Sequence, residues 1–193
     1  FLPCYNQAET LAEAIESVLA QTFSDFELLL FNDGSIDETV EVMDRYASLD
    51  DRIRVHNLSK QENVGVVINM SVAAARGAYW VWCPADDRLV PSLLEKKHGH
   101  PKRDAILYNN FYLMDNHSAV MSAVDIRERT PDEFREAVWT DSPIGFTGIW
   151  IPIETLKTLP FPEHLSFSED FYWMVLATVR GYDFVGLPGR LHF

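Results

Sequence analysis

Carboxylates follow two predicted strands of the chain, at the point where each strand ends. Asp33 comes directly after the apolar segment 27–32, and Asp86 and Asp87 follow the segment 79–83. In an open parallel sheet, ligands bind outside the carboxyl ends of the strands, so we expect these side chains to share one edge. Carboxylates gathered there repel one another unless a cation or the donors of a ligand lie between them. An aspartate pair suits Mg²⁺ or Mn²⁺, which bind one or two carboxylates together with substrate phosphates.

Two further acids, Glu169 and Asp170, open a predicted helix over residues 168–180. A carboxylate within hydrogen-bond reach of a substrate hydroxyl can act as a general base. The alternative is structural, because acids in a first helical turn stabilise the helix by about 0.3–1 kcal/mol through its dipole. Structural alternatives also exist at the strand ends, where residues 33–35 and 84–87 can each form an ordinary turn before a helix.

The elements that must position these side chains alternate between strands and helices in the first half of the chain. Up to about residue 103, short apolar segments alternate with helical patterns, which indicates βα units and a parallel sheet. Two capping boxes, at Asn6/Glu9 and Thr130/Glu133, open predicted helices. In the second half the sequence predicts strands at 105–112, 118–125 and 146–151 and helices at 130–139 and 168–180. We therefore expect one α/β domain with a mixed, mainly parallel sheet flanked by helices.

The composition is that of an acidic globular protein. Of the 193 residues, 47% are apolar and 12% aromatic, which is far too much to bury for a disordered acidic tail. The net charge of −13 repels phosphate backbones and anionic lipids, so nucleic acid is excluded as a partner and a membrane surface is disfavoured. Basic side chains form no patch large enough to reverse this, and the densest cluster consists of Lys96, Lys97, Lys102 and Arg103.

Cys4 and Cys83 are too few for a disulfide framework and show no metal-ligand spacing, so we expect reduced thiols. No apolar run reaches the roughly 18 residues that span a bilayer, and no signal peptide is visible. The chain opens with Phe-Leu-Pro, which has the pattern of the end of a strand, so we expect a domain trimmed from a longer protein. Membrane association is then expected only through other parts of that protein.

The motifs resemble, in order and spacing, those of the family 2 inverting glycosyltransferases with a GT-A fold. The motifs are Pro3-Cys4-Tyr5-Asn6, Asn32-Asp33-Gly34-Ser35, Asn63, Gly65, Asn69, Ala75-Arg76-Gly77, Ala85-Asp86-Asp87 and Glu169-Asp170. The resemblance covers the whole chain and implies one glycosyltransferase domain over residues 1–193. It implies a nucleotide-sugar-binding half at 1–103 and an acceptor-binding half at 104–193.

The resemblance also implies which residues bind the donor nucleotide. Pro3, Tyr5, Asp33 and Asp86 match the family's nucleotide-binding positions, with Tyr5 flanking the base and Asp86 near the ribose. A carboxylate at Asp33 can accept a hydrogen bond from N3–H of uracil or thymine, whereas adenine offers an acceptor at the corresponding edge. The expected donor is therefore a UDP-sugar or a dTDP-sugar.

A metal ion, Mg²⁺ or Mn²⁺, is the cofactor that the resemblance implies. Asp87 and Asp86 match the family's metal-site carboxylates, and His192 lies near a histidine that some relatives use for metal or phosphate. The ion would neutralise charge on the leaving nucleotide. Two positions depart from the commonest pattern, because Pro84 and Asn32 stand where many members carry an aspartate.

The implied reaction is transfer of the sugar to an acceptor hydroxyl with inversion, with Asp170 as the general base and Glu169 as the alternative. The expected acceptor is a carbohydrate or glycolipid in bacterial polysaccharide or glycoconjugate assembly, in the cytoplasm or at the inner face of the membrane. A catalytically degenerate relative that binds nucleotide or glycan is one alternative. A sugar-phosphate nucleotidyltransferase is another, although it needs a Gly-rich basic loop after the first strand.

Aromatic residues of the second half could contribute to acceptor binding, because flat rings pack against the C–H faces of sugars. Core packing is the alternative for most of them. The residues concerned are Trp139, Phe146, Trp150, Phe167 and Trp173. The resemblance also places Cys4 and Cys83 on adjacent strands, close together beneath the nucleotide site.

Overall fold

The computed structural model describes residues 1–115, 119–126, 129–140 and 144–192. Strands and helices alternate in the first half: β1 Leu2–Cys4, α1 Leu11–Leu19, β2 Leu28–Asn32, α2 Thr39–Ala47, β3 Ile53–Asn57, α3 Val64–Ala74, β4 Tyr79–Val81 and α4 Leu93–His98. The second half contains β5 Ile106–Met114, β6 Val120–Val124, α5 Pro131–Ala137, β7 Trp150–Pro152, α6 Ile153–Thr158, α7 Glu169–Val179 and β8 Phe184–His192. Residue 118, the predicted start of the strand that is β6, lies outside the described residues.

Two sheets form the centre of the fold. β1, β2 and β3 pair in parallel, with Leu2 opposite Leu30. In the second sheet β7 lies antiparallel to β4 and β5, β6 lies antiparallel to β5, and β8 runs parallel to β5. The sheets are joined because the amino group of Phe1 donates to the carbonyl of Val81 (2.9 Å) and the amide of Cys83 donates to the carbonyl of Phe1 (3.0 Å). The predicted α/β fold with a mixed sheet is confirmed.

β2 is buried on both faces, as its unbroken apolar sequence predicts. Leu30 belongs to the core cluster that contains Ile15 of α1, and Leu29 belongs to the cluster that contains Ile68 of α3. Burial of each such side chain contributes about 1.5–3 kcal/mol. The central strand that ends at Asn32 is therefore held rigidly from both sides.

The first helix begins later than the sequence predicts. α1 begins at Leu11, and Thr10 occupies the N-cap position without a side-chain cap bond. Asn6 has a left-handed φ of 53°, and its side chain accepts a hydrogen bond from the amide of Ile36 (2.8 Å). The predicted capping box of Asn6 and Glu9 is therefore wrong, because Asn6 binds the turn after β2 instead.

The second half matches the sequence pattern only in part. The predicted capping box of Thr130 and Glu133 is confirmed. The strand predicted at 146–151 is limited to β7, because residues 146–149 form a turn in which Gly148 has a φ of +70°. The sequence pattern does not predict α6 or β8. β8 contains glycine and proline and has two register shifts against β5, which obscure the alternation of a strand.

Cys4 ends β1 and Cys83 follows β4, the neighbouring strand. Both thiols are buried and neither is in a disulfide, which confirms the predicted reduced state. Burial raises the pKa of Cys83 to about 12 and raises that of Cys4 as well, so both are unreactive thiols at neutral pH. Across the described ranges, no helix combines the length and hydrophobicity that a membrane span requires.

Candidate active site

The loops that follow β1 and β2 are hydrogen-bonded to each other at the carboxyl edge of the sheet. The amide of Asn6 donates to the hydroxyl of Ser35 (3.0 Å), and the amide of Asp33 donates to the carbonyl of Cys4 (2.8 Å). Asn32 stabilises the same turn, because its side chain accepts from the amide of Ser35 (2.9 Å). An asparagine can therefore stabilise this turn at a position where many members of the family that the sequence resembles carry an aspartate.

Asp33 lies at the floor of this edge. Its side chain is buried and accepts a hydrogen bond from the amide of Glu62 (2.8 Å), and burial raises its pKa. Gly34 follows with a φ of +77°, and a Cβ there would lie 2.8 Å from the amide nitrogen of Gln61. The turn 33–35 is thus enclosed by residues 60–62 and is not an ordinary solvent-exposed turn.

Two further residues predicted to bind the nucleotide, Pro3 and Tyr5, belong to β1 or follow it directly. Tyr5 follows β1 and is 41% exposed, which leaves its ring available for a ligand. Pro3 lies within β1, opposite Phe31 of β2. Of the two, Tyr5 is the one that lies beyond the strand.

Asp86 and Asp87 lie in the turn after β4. The amide of Asp87 donates to the carbonyl of Pro84 (3.2 Å), so Pro84 contributes to the turn through its backbone. Asp86 is exposed, whereas Asp87 is partly buried and accepts a hydrogen bond from the hydroxyl of Thr147 (2.5 Å). The pKa of Asp87 is raised to about 6, chiefly by burial; the Thr147 hydrogen bond lowers it and the charge of Asp86 raises it.

A cavity of about 360 Å³ brings together the three residues predicted to bind metal. Asp86, Asp87 and His192 line it, together with Asp115 and Thr147. β8 thus brings His192 to the same cavity as the turn after β4, and the role of His192 in metal binding stays a prediction. The sequence pattern does not identify Thr147, although Gly145 and Gly148 on either side of residues 146 and 147 are a signal for a turn.

His192 is buried in β8 and stacks on Phe111, with ring centroids 5.0 Å apart. Its Nδ1 lies 3.0 Å from Nδ2 of Asn109. Burial, and to a lesser extent the charge of Lys97, lowers the pKa of His192 to about 3, so the imidazole is neutral at physiological pH. Because Nδ2 of Asn109 can only donate, Nδ1 accepts this hydrogen bond and Nε2 carries the ring proton of the neutral imidazole.

The protein supplies too few ligands here to hold a metal ion alone. Across the described residues, no three His, Cys, Asp or Glu side chains are grouped closely enough for that. Mg²⁺ characteristically takes one or two carboxylates and completes its coordination with water and substrate phosphates. The pair Asp86 and Asp87, one of them partly desolvated and without a cationic partner among its hydrogen bonds, fits this type of shared site.

Glu169 and Asp170 begin α7, as predicted. Ser168, the residue before them, occupies the N-cap position but has a left-handed φ of 56° and makes no side-chain cap bond. One oxygen of Asp170 accepts from the amide of Phe171 (2.7 Å). Burial, followed by the charge of Asp170, raises the pKa of Glu169. Neither acid lines the cavity of Asp86 and Asp87.

Hydrogen bonds tie the segment before α7 to the start of α3. The side chain of Asn63 donates to the carbonyl of Leu165, and the side chain of Asn69 donates to the carbonyl of Phe161 (3.0 Å). The amide of Phe161 donates back to Asn69 (2.9 Å). The segment that leads to Glu169 and Asp170 is therefore held in place by α3.

The aromatic residues of the second half divide into two groups. Trp150 and Trp173 are buried, and Phe146 packs edge-on against Trp173, so core packing accounts for all three. Trp139 and Phe167 are 65% and 86% exposed. A larger groove, of about 530 Å³, is lined by residues 25–29 and 75–81 among others; it includes Trp150 but none of the residues predicted to bind nucleotide or metal or to act as the base.

Comparison with known sequences identifies related proteins. The family model described as "Glycosyl transferase family 2" matches residues 1–109. GlyG, a glycosyltransferase of Streptococcus pneumoniae, is 29% identical over 116 residues, which are 59% of this chain and 38% of GlyG. EpsJ, an uncharacterised glycosyltransferase of Bacillus subtilis, is 37% identical over 97 residues, which are 49% of this chain and 27% of EpsJ. The chain therefore spans well under half the length of these relatives.

Comparison with solved structures identifies the fold. TarS of S. aureus in complex with UDP superposes with a TM-score of 0.80 and 20% identity, over 100% of this chain and 58% of that chain. The mannosyltransferase PcManGT from Pyrobaculum calidifontis, in complex with GDP-Man and Mn²⁺, gives a TM-score of 0.72 and 16% identity, over 97% of this chain and 53% of that chain. The predicted GT-A fold is confirmed.

Asp87 offers a test of the electrostatics of this site. The pKa of the Asp87 carboxyl is about 3.9 in the unfolded chain and about 6 in the folded protein, so the ionised form opposes folding. This penalty is absent below about pH 4, where both states are protonated, and complete above about pH 6. We expect Asp87→Asn to raise the free energy of unfolding by about 1–2 kcal/mol at pH 7.5, after allowance for solvent screening, and to change it little at pH 4.

Urea denaturation at the two pH values measures this difference. Asp51→Asn is the matched control, because Asp51 is exposed and lies outside the cavity of Asp87. An equal effect of Asp87→Asn at both pH values would contradict the assignment.

Proposed function

Because the chain belongs to glycosyl transferase family 2, we propose that it transfers a sugar from a nucleoside diphosphate donor to an acceptor hydroxyl, with inversion at the anomeric carbon. The observation that carries the proposal is the aspartate pair Asp86 and Asp87, which lines a cavity at the carboxyl edge of the sheet. In this class of fold that edge is the place where ligands bind. Tyr5 and Asp33 lie beyond the neighbouring strands at the same edge.

The proposed donor is a UDP-sugar, with dTDP as the alternative nucleotide. One oxygen of Asp33 accepts from the amide of Glu62, and its other oxygen can accept from the N3–H of uracil or thymine. Tyr5 would stack on or flank the base. Solved structures of TarS, a protein of the same fold, contain UDP and UDP-GlcNAc, which supports this choice.

We propose that Asp86 and Asp87 hold Mg²⁺ or Mn²⁺ together with the donor diphosphate. When bound, the ion would supply neutralisation of the negative charge that develops on the leaving nucleotide. Thr147 orients the carboxylate of Asp87, and the neutral imidazole of His192 lies at the same cavity. The PcManGT structure, which contains GDP-Man and Mn²⁺, supports the use of a divalent ion.

Asp170 is the proposed general base, with Glu169 as the alternative. The base must accept the proton of the acceptor hydroxyl as that oxygen attacks the anomeric carbon. One oxygen of Asp170 is held by the amide of Phe171, which fixes the carboxylate at the start of α7 and leaves its second oxygen for the acceptor. The raised pKa of Glu169 is the property that keeps it as the alternative.

The proposed acceptor is a carbohydrate or glycolipid in bacterial polysaccharide or glycoconjugate assembly, on the cytoplasmic side of the membrane. Attachment to the membrane would use parts of a longer protein outside this chain. The bacterial glycosyltransferases GlyG and EpsJ, which this chain resembles over part of their length, support that setting.

The loop after β1 argues against a nucleotidyltransferase. Such enzymes need backbone amides after the first strand to hold a triphosphate. Here the amide of Gln7 donates to the hydroxyl of Thr39 (2.9 Å), and that of Ala8 donates to Asp37 (3.1 Å). With the amide of Asn6 bound to Ser35, three successive amides of the loop already have protein partners.

Isothermal titration calorimetry with UDP, dTDP, GDP and ADP, each with and without Mn²⁺, tests the donor site. We expect UDP or dTDP to bind, with affinity about tenfold or more higher when Mn²⁺ is present, because Asp86 and Asp87 would hold the ion and its charge would offset that of the diphosphate. Preference for GDP would contradict the role of Asp33 in selecting uracil or thymine. The absence of binding to any of the four would contradict the proposed function.

Asp170→Asn tests the base. The substitution keeps size and hydrogen bonding but removes the proton acceptor, so we expect turnover of a UDP-sugar to fall by about 10²–10⁴-fold while UDP affinity changes less than about twofold. Release of UDP is the measurement, and Asp132→Asn, in the first turn of α5, is the matched control. Loss of turnover with Glu169→Gln but not with Asp170→Asn would assign the base to Glu169. Nucleotide binding without any turnover by the unaltered protein would instead identify a degenerate relative.

A further inference from the structure

Lys97 has an ionisable side chain that is buried in the protein core. It lies on α4, is 1% exposed and belongs to the basic cluster that the sequence places at the surface. Its Nζ donates to the carbonyl of Leu107 (3.0 Å) and to the carbonyl of Gly148. Lys96, the preceding residue in the same cluster, is exposed. The cluster is therefore divided between core and surface.

The burial of Lys97 is not explained by packing alone. Burying an ammonium group is unfavourable unless it is paired, and burial lowers the pKa of Lys97 well below its usual value. Its two hydrogen-bond acceptors are neutral carbonyls. A methionine would fill a similar volume without this cost, so the hydrogen bonds are what a lysine adds at this position.

One of the two carbonyls belongs to the turn that carries Thr147. The amide of Gly148 donates to the carbonyl of Trp82 (2.7 Å), and its carbonyl accepts from Lys97, so both sides of this residue are held. The preceding residue, Thr147, donates its hydroxyl to Asp87. Lys97 is therefore linked to Asp87, a carboxylate of the candidate donor site, through Gly148 and the hydroxyl of Thr147.

Gly148 leaves the turn little freedom to adopt another position. Its φ is +70°, and a Cβ on it would lie 2.9 Å from Cδ1 of Leu93 and 3.5 Å from Nδ1 of His192 and Oδ1 of Asn109. Only glycine fits at position 148, which is closely packed between α4 and β8. A side chain that pulls on the Gly148 carbonyl consequently fixes where Thr147 is presented.

We propose that Lys97 is a positioning residue of the donor site, because it holds the 146–149 turn so that Thr147 orients Asp87 toward the metal-bound diphosphate. This inference rests on the proposed function. It assigns to a buried lysine on the far side of the turn the task of keeping a metal-binding carboxylate in one rotamer. Supporting groups around metal ligands are commonly worth a 10–100-fold change in metal affinity, by the same physical effect.

Calorimetry with UDP in the presence and absence of Mn²⁺ tests Lys97→Met. Methionine keeps the volume and removes the donors, so we expect the Kd for UDP with Mn²⁺ to rise by about 10–100-fold, and the Kd for UDP alone to change less than about twofold. Lys97→Gln retains two N–H donors on a neutral side chain and should restore the Mn²⁺-dependent affinity to within about fivefold. Lys96→Met, on the exposed side of α4, is the matched control and should leave both values unchanged.

A double-mutant cycle separates positioning from general loss of stability. If Lys97 acts through Thr147, the variant with both Lys97→Met and Thr147→Val should lose no more Mn²⁺-dependent affinity than the more severe single variant, within about twofold. A purely structural lysine would lower the melting temperature and leave the Mn²⁺-dependent affinity intact. Additive losses, or an intact affinity in folded Lys97→Met, would overturn the proposal.

Amide hydrogen exchange of the unaltered protein provides a second test if Lys97→Met does not fold. The amide of Gly148 should be protected further when UDP and Mg²⁺ are added together, and not when UDP is added alone, because the turn and Asp87 form one unit. Unchanged protection would contradict the proposal. If the unaltered protein binds no nucleotide, the proposed function and this inference both fail, whereas normal binding with no effect of Lys97 contradicts the inference alone.

Discussion

The backbone hydrogen bonds between Phe1, which precedes β1, and the end of β4 are the interaction on which the candidate site depends. The hydrogen bonds of Phe1 with Val81 and Cys83 join the two sheets within the core, where an unpaired backbone group costs about 1–3 kcal/mol. Stacking of Phe1 on Trp80, with ring centroids 5.4 Å apart, reinforces this connection. Because the two strands run in parallel, the residues that follow them emerge at the same edge. The Asp33 loop and the aspartate pair after β4 can therefore act on one ligand.

The sequence predicts the features that local physics decides and misses those that distant contacts decide. β2 is predictable because its side chains are apolar on both faces, and the Thr130 capping box because all its bonds lie within four residues. Asn6 forms no cap because it binds the amide of Ile36, 30 residues away. Lys97 reads as a surface charge beside Lys96, although its spacing from Leu93 and Leu94 places it on the buried face of α4. Its partners on β5 and the 146–149 turn cannot be read from that segment.

The acidic side chains of the candidate site are held at a cost to stability. Burial raises the pKa of Asp33, Asp87 and Glu169, which means that each ionised carboxylate opposes folding near neutral pH. The protein offsets this with hydrogen bonds from Glu62 and Thr147 rather than with basic side chains. A chain of net charge −13 would repel a diphosphate, so this arrangement is suited to a ligand that arrives with its own cation. In the proposed site, the positive charge that these carboxylates lack would come with the ligand. Charged groups with perturbed pKa values are common in binding sites.

The start of α3 sets the distance between the turn that contains Asp33 and the two acids at the start of α7, Glu169 and Asp170. Glu62 binds Asp33 through its amide, and the next residue, Asn63, binds the carbonyl of Leu165 in the segment that leads to α7. Glycines allow close packing at both contacts, because a Cβ at Gly34 would meet the backbone of residues 60 and 61, and a Cβ at Gly65 would meet the carbonyl of Pro162. A larger residue at either position would push the two loops apart. Because one short segment contacts both, the position of Glu169 and Asp170 relative to the carboxyl edge of the sheet follows from backbone packing and does not require a contact between the acids of the two halves.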